Sequence, residues 1–172
     1  MAYQNQYDKN GQCSADGITA EHLFKAMAEK RNFIVMGVSR DVNMFDHIDY
    51  EIRKNKKAFT VDVKAMKSMN RGETARDEVT LVEFQNVKGN PGWLYGKATT
   101  IAFKMKDRFL LVNRESLVDL CESLVDINLT PQKSTTDKDI YITYQRDGRQ
   151  DKFAFIPSMD ILDNIPYVSW MF

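Results

Sequence analysis

Two neighbouring segments of strict alternation constrain this chain more than anything else in it. In HIDYEIRKN (47–55), Ile48, Tyr50 and Ile52 fall on one side of an extended strand, and Asp49, Glu51 and Arg53 on the other. In AFTVDVKA (58–65), Phe59, Val61 and Val63 take one face and Thr60, Asp62 and Lys64 the opposite one. Between them, NKK (55–57) is a short polar turn, so the pair reads as a β-hairpin. Positions 49 and 63 are nearly equidistant from that turn, which brings Asp49 beside Asp62 and Lys64. Residues two apart on a strand project the same way, so Asp62 and Lys64 share a surface.

The rest of the chain supplies the elements of one α/β domain. Its 172 residues suffice for a single ordinary core and would be cramped as two domains. We divide the chain into a flexible polar lead-in, residues 1–16, and one domain, 17–172. A helix is predicted over about 20–31, with Leu23, Phe24 and Met27 at helical spacing, Thr19 as N-cap and Glu21 in the first turn. FIVMGV (33–38) reads as a buried strand, VTLVEFQN (79–86) as a third strand, and 99–114 as two more. ESLVDLCESLVD (115–126) is an amphipathic helix. IYITYQR (140–146) and KFAFIPS (152–158) flank Asp147-Gly148, a hairpin signal, and the apolar last segment is expected to dock.

Lys+Arg and Asp+Glu are 24 each, so net charge gives no sign of a nucleic-acid partner and excludes none; local clustering decides. His22 and His47 are the only histidines, and Cys13 and Cys121 form no CxxC pair, which argues against a tetrahedral zinc site and for free thiols. No apolar run approaches a membrane span of roughly 20 residues. The N-terminus lacks an apolar signal core, so the expected location is cytoplasmic (the host cytoplasm for a phage-encoded chain).

Two carboxylates and an ammonium on one polar face are a set that phosphodiester hydrolysis can use. Carboxylates hold a hard cation such as Mg²⁺ through oxygen, and a cation so held polarises a phosphoryl oxygen. A lysine beside it orients the attacking water and offsets transition-state charge. At Asp49 and Asp62-Val63-Lys64 the sequence resembles the PD-(D/E)XK nuclease superfamily, whose motif is an Asp ahead of a hairpin ending in (D/E)xK. Within it, the chain looks nearest to small phage-type and Holliday-junction-resolvase-like members, over roughly residues 17–125.

The resemblance implies a restriction-endonuclease-like core: a mixed central β-sheet flanked by helices, here with a C-terminal β-hairpin. It further implies Mg²⁺ or Mn²⁺ on Asp49 and Asp62, joined by Glu21 from the preceding helix. Gln85, in Glu83-Phe84-Gln85, matches a position where many members carry a polar Gln or Lys that contacts the water or a phosphate. The implied activity is cleavage of branched or duplex DNA, by a homodimer if the resolvase analogy holds. Basic residues near the hairpin and its following loop, Lys56, Lys57, Lys67 and Arg71, form a candidate phosphate track, with Lys97 as a further DNA contact. The alternatives are a polar sheet face bearing ordinary cross-strand ion pairs, and a catalytically silent nuclease-fold protein that works through DNA or protein contacts.

Overall fold

In the computed structural model, which describes residues 12–69, 74, 76–134 and 137–172, the alternating segments form the expected hairpin. Strand β2 (Tyr50–Lys54) pairs antiparallel with β3 (Lys57–Lys64), from Tyr50 opposite Val61 to Lys54 opposite Lys57. The turn is the two-residue loop Asn55-Lys56, with φ of 50° and 65°. Left-handed geometry at both central residues is the two-residue solution whose twist matches that of the strands.

Preceding the hairpin are helix α1 (Gln12–Lys30), strand β1 (Ile34–Gly37) and a π-helical turn, Val42–Asp46. The hairpin is followed by β4 (Val79–Gln85), a 3₁₀ turn at Trp93–Tyr95, β5 (Thr100–Lys104), β6 (Arg108–Asn113) and helix α2 (Arg114–Leu124). The chain ends with β7 (Gln132–Lys133), β8 (Tyr144–Gln145), β9 (Lys152–Pro157), helix α3 (Ser158–Asn164) and β10 (Tyr167–Met171). They form a mixed α/β fold with two mixed sheets, ordered β1-β2-β3-β5-β6-β10 and β4-β9-β8-β7.

The six-stranded sheet holds the site. Its centre is β3, which pairs parallel with β5, Asp62 lying opposite Ile101 and Lys64 opposite Phe103. Strands β5 and β6 are nearly continuous apolar runs, as strands buried on both faces require. Helix α1 covers one face with Ala20, Phe24, Met27 and Ala28, spaced as one helical stripe and packed on Ile52, Val61, Val63, Phe109 and Trp170. Phe24 is fully buried, stacked on Trp170 and edge-on to Phe109. The opposite face packs through Ile101, Phe103, Leu110 and Val112 on α2 and on Val82, Phe84, Ala154 and Ile156 of the second sheet.

Several expectations need correction. Helix α1 begins at Gln12, inside the segment read as a lead-in, and Thr19 is not its N-cap: its hydroxyl donates to the carbonyl of Ala15 within the helix, at 2.8 Å. Strand β1 lies at a sheet edge rather than in the core, with Ile34 67% exposed. The third predicted strand, β4, leaves the central sheet for the second one, where it pairs with β9. The expected C-terminal hairpin does form on the other edge of β9, but it is short: β8 pairs antiparallel with β9 at Tyr144 opposite Phe153, and the Tyr141 N–H donates to the Phe155 carbonyl at 2.8 Å. The last segment does dock, as α3 and as edge strand β10. Among the described residues no helix is long and apolar enough to cross a membrane.

Candidate active site

The site forms where the β2–β3 ladder ends. One step beyond the Tyr50–Val61 pair, the Asp49 N–H donates to the Val61 carbonyl at 2.8 Å, which ties Asp49 to β3 beside Asp62. Its carboxylate then accepts the Val63 N–H on Oδ2 at 2.7 Å and the Asn43 side-chain amide on Oδ1 at 2.6 Å. Asn43 belongs to the π-helical turn, so this rare local geometry anchors the first acid of the motif. The turn closes at His47, in left-handed conformation at φ 53°. Burial, then the nearby Lys64 charge, lowers the His47 pKa, with Asp49 and Asp46 pulling the other way.

Asp62 is buried, 2% exposed. Lys64 binds its Oδ1 at 2.7 Å, whereas Oδ2 is buried with no hydrogen-bond donor. Burial pushes the Asp62 pKa up to about 7 despite Lys64, with the neighbouring Asp49 carboxylate adding to the rise. Lys64 itself lies over the Trp93 ring, 5.1 Å from its centroid. Glu21 reaches the same place from α1. Its pKa is also raised to about 7, first by burial and then by Asp49, against the pull of Lys64.

These groups line a cleft of about 650 Å³ that runs between the two sheets. Lys67, Arg76, Lys104 and Arg146 add positive charge to it, and Glu83 adds a further acid. Glu83 is raised by burial, while Lys64 and Arg146, and an N–H from Trp93, act to lower it.

Asp49, Asp62, Lys64, Glu21 and Lys67 therefore come together, but other sequence candidates do not. Gln85 follows a β-bulge in β4, does not line the cleft, and donates its amide to the Gln150 carbonyl. The bulge breaks the period-two argument that placed it beside Glu83. Lys56 and Lys57 sit at the hairpin tip, and the length of β3 puts Lys57 about 23 Å along the strand from Lys64. Lys97 is engaged away from the cleft: its ammonium pairs with Asp46 at 2.8 Å, and its N–H donates to the Asp46 carbonyl. Arg71 lies outside the described residues.

Sequence reasoning gave no role to Arg146, Arg76 or Lys104, and none of its own to Glu83. Arg146 directly follows β8, late in the chain, where no local pattern connects it to the hairpin. Glu83 had a signal in its shared face with β4's polar positions, but nothing tied that face to Lys64.

Among the described residues, no three acidic, histidine or cysteine side chains form a finished metal cage. Lys64 holds one Asp62 oxygen, and Asn43 and Val63 each use a lone pair of Asp49. The donor set still fits a hard divalent cation. All its atoms are carboxylate oxygens, and Asp62 Oδ2 is a buried acceptor without a donor. Comparison of the chain with family models, with curated proteins and with solved structures gave no match.

Proposed function

We propose that the chain is a divalent-cation-dependent nuclease of the PD-(D/E)XK type, with the cleft as its active site. The observation that carries this reading is the orphaned Oδ2 of Asp62, buried beside a fixed Asp49 carboxylate and a lysine. A buried carboxylate oxygen with no donor is costly unless a proton, such as one shared with Asp49, or a cation completes it. The mixed sheet with α1 on one face and α2 on the other supports a restriction-endonuclease-like core.

Asp49, Asp62 and Glu21 would hold Mg²⁺ or Mn²⁺, which when bound supplies Lewis-acid charge to the scissile phosphate. The protein's own groups do the rest. Hydrogen bonds from Val63 and Asn43 fix the Asp49 carboxylate in advance, so its orientation is set before substrate arrives. The Lys64 ammonium donates to the attacking water and to phosphate oxygens as negative charge builds. Lys67, Arg76, Lys104 and Arg146 draw the polyanionic backbone along the cleft. DNA is the substrate class the family resemblance favours.

A panel of linear, nicked and branched DNA, with matching RNA, incubated with Mg²⁺, Mn²⁺ or EDTA tests the reading. Cation-dependent cleavage that Asp62→Ala abolishes is the expected result. Well-folded protein that cleaves no member of the panel with either cation would overturn it.

A further inference from the structure

Lys64 and a cation cannot both use Asp62 fully, because the ammonium already occupies Oδ1 at 2.7 Å. A divalent ion against Oδ2 would also face the Lys64 charge at close range, and the two cations repel unless a second anion shares the load. We propose that Glu83 is a positioning residue that receives the Lys64 ammonium when a divalent cation occupies Asp62, an inference that rests on the cation-site reading of the cleft.

Three observations place Glu83 in that role. It lines the same cleft as Lys64, from the second sheet, and is half-buried there. The Gly92–Trp93 turn links the two residues: the Trp93 ring lies under the Lys64 ammonium at 5.1 Å, and Gly92 packs directly against the Glu83 backbone, its N–H donating to the Phe84 carbonyl at 2.9 Å. Arg146, the other cation near Glu83, is already committed to the buried Asp151 through an ion pair of 2.5 Å. Lys64 is thus the neighbour that would lose its partner when Asp62 is engaged. A lysine is suited to such an exchange, since its ammonium is a point charge on a flexible stem. Handing it to Glu83 would keep it in the cleft for the phosphate and free Asp62.

Isothermal titration with Mn²⁺ alone, without substrate, tests this. Glu83→Gln keeps the shape and removes the charge. It should weaken Mn²⁺ binding about tenfold, the loss expected when a close charge partner is removed. Glu83→Asp should recover most of it. In a Lys64→Met background there is no ammonium to rehouse, so adding Glu83→Gln should change Mn²⁺ affinity by less than about twofold. Equal affinity in wild type and Glu83→Gln overturns the handover, and so does an equal loss in both backgrounds, which would mark Glu83 as a direct ligand. Absence of any Asp62-dependent heat in the wild type overturns the cation site itself and the handover with it. Asp62-dependent heat that ignores Glu83 overturns the handover alone.

Discussion

The Asp49 carboxylate accepts the backbone N–H of Val63 at 2.7 Å, so the first acid of the site is bonded to the strand that carries the other acid and the lysine. That bond makes Asp49 a structural residue as well as a functional one. Asp49→Ala leaves the N–H of buried Val63 without its carboxylate partner and leaves the Asn43 amide only the Ile48 carbonyl, at 3.3 Å. We expect it to lower unfolding free energy by about 1–3 kcal/mol, the cost of stranding a buried donor. Asp62→Ala removes an oxygen without a donor and an ion pair to the partly exposed Lys64, and should abolish cation binding with a smaller loss. Urea unfolding of both variants in EDTA checks the order; a larger loss for Asp62→Ala would refute it.

The raised carboxyls give a signed pH dependence. Glu21 and Asp62 have ordinary values of 4.5 and 3.8 and are raised to about 7 in the fold. Between those limits the folded state holds protons that the unfolded chain has released. Their contribution to stability is therefore complete below about pH 4 and is lost as pH rises through about 7. In EDTA, Asp62→Asn should gain melting temperature relative to wild type at pH 8 and not at pH 5. Because a cation replaces these protons, Mg²⁺ should raise the wild-type melting temperature more at pH 8 than at pH 6. A Mg²⁺ shift that is flat or larger at pH 6 would count against Asp62 and Glu21 as its ligands.

How much of this was legible beforehand follows from where each signal lives. The hairpin was readable because alternation and turn chemistry are local; Asp62 and Lys64 lie on β3, and Asp49 is the residue just before β2. Glu21 depended on family resemblance, since a first-turn glutamate has its own explanation in the helix dipole; in the structure α1 begins earlier and Glu21 sits in mid-helix. The second sheet was not readable. β4 finds its partner in β9, some 70 residues later, and a pairing so distant leaves no trace in either strand's pattern. Gln85 failed for a smaller reason, a single bulge that breaks the count of two.

The hairpin turn offers a stabilising change remote from the chemistry. Lys56 holds φ at 65°, a conformation that disfavours side chains and suits glycine. Asn55 before it is already the preferred first residue of such a turn. Lys56→Gly should therefore stabilise the protein by about 0.5–1 kcal/mol, partly offset by the freer unfolded chain. It should leave Mn²⁺ affinity unchanged. If Lys56 belongs to a substrate track, DNA affinity would fall as well, and its salt dependence would flatten by about one charge. Its position at the far end of β3 leads us to expect no such change, so fluorescence anisotropy at two salt concentrations separates the outcomes.

Gly92 is the position where the second sheet and the site are most tightly joined, and its constraint is steric rather than conformational. Its φ is −74°, open to any residue, yet a Cβ there would lie 2.2 Å from the carbonyl oxygen of Glu83 and within 3 Å of two further backbone carbons of β4. The Gly92 N–H donates to the Phe84 carbonyl at 2.9 Å, which holds the 3₁₀ turn against β4. Gly92→Ala must push that turn away from Glu83, and with it Trp93, whose ring supports Lys64. We expect a loss of about 3 kcal/mol, as for overpacking against backbone that cannot yield. The site should suffer beyond that loss: at a temperature where the variant is still folded, Mn²⁺ affinity should fall as it does in Glu83→Gln. Loss of stability with wild-type Mn²⁺ affinity would instead show that the turn serves packing alone and that Trp93 does not tie Glu83 to Lys64.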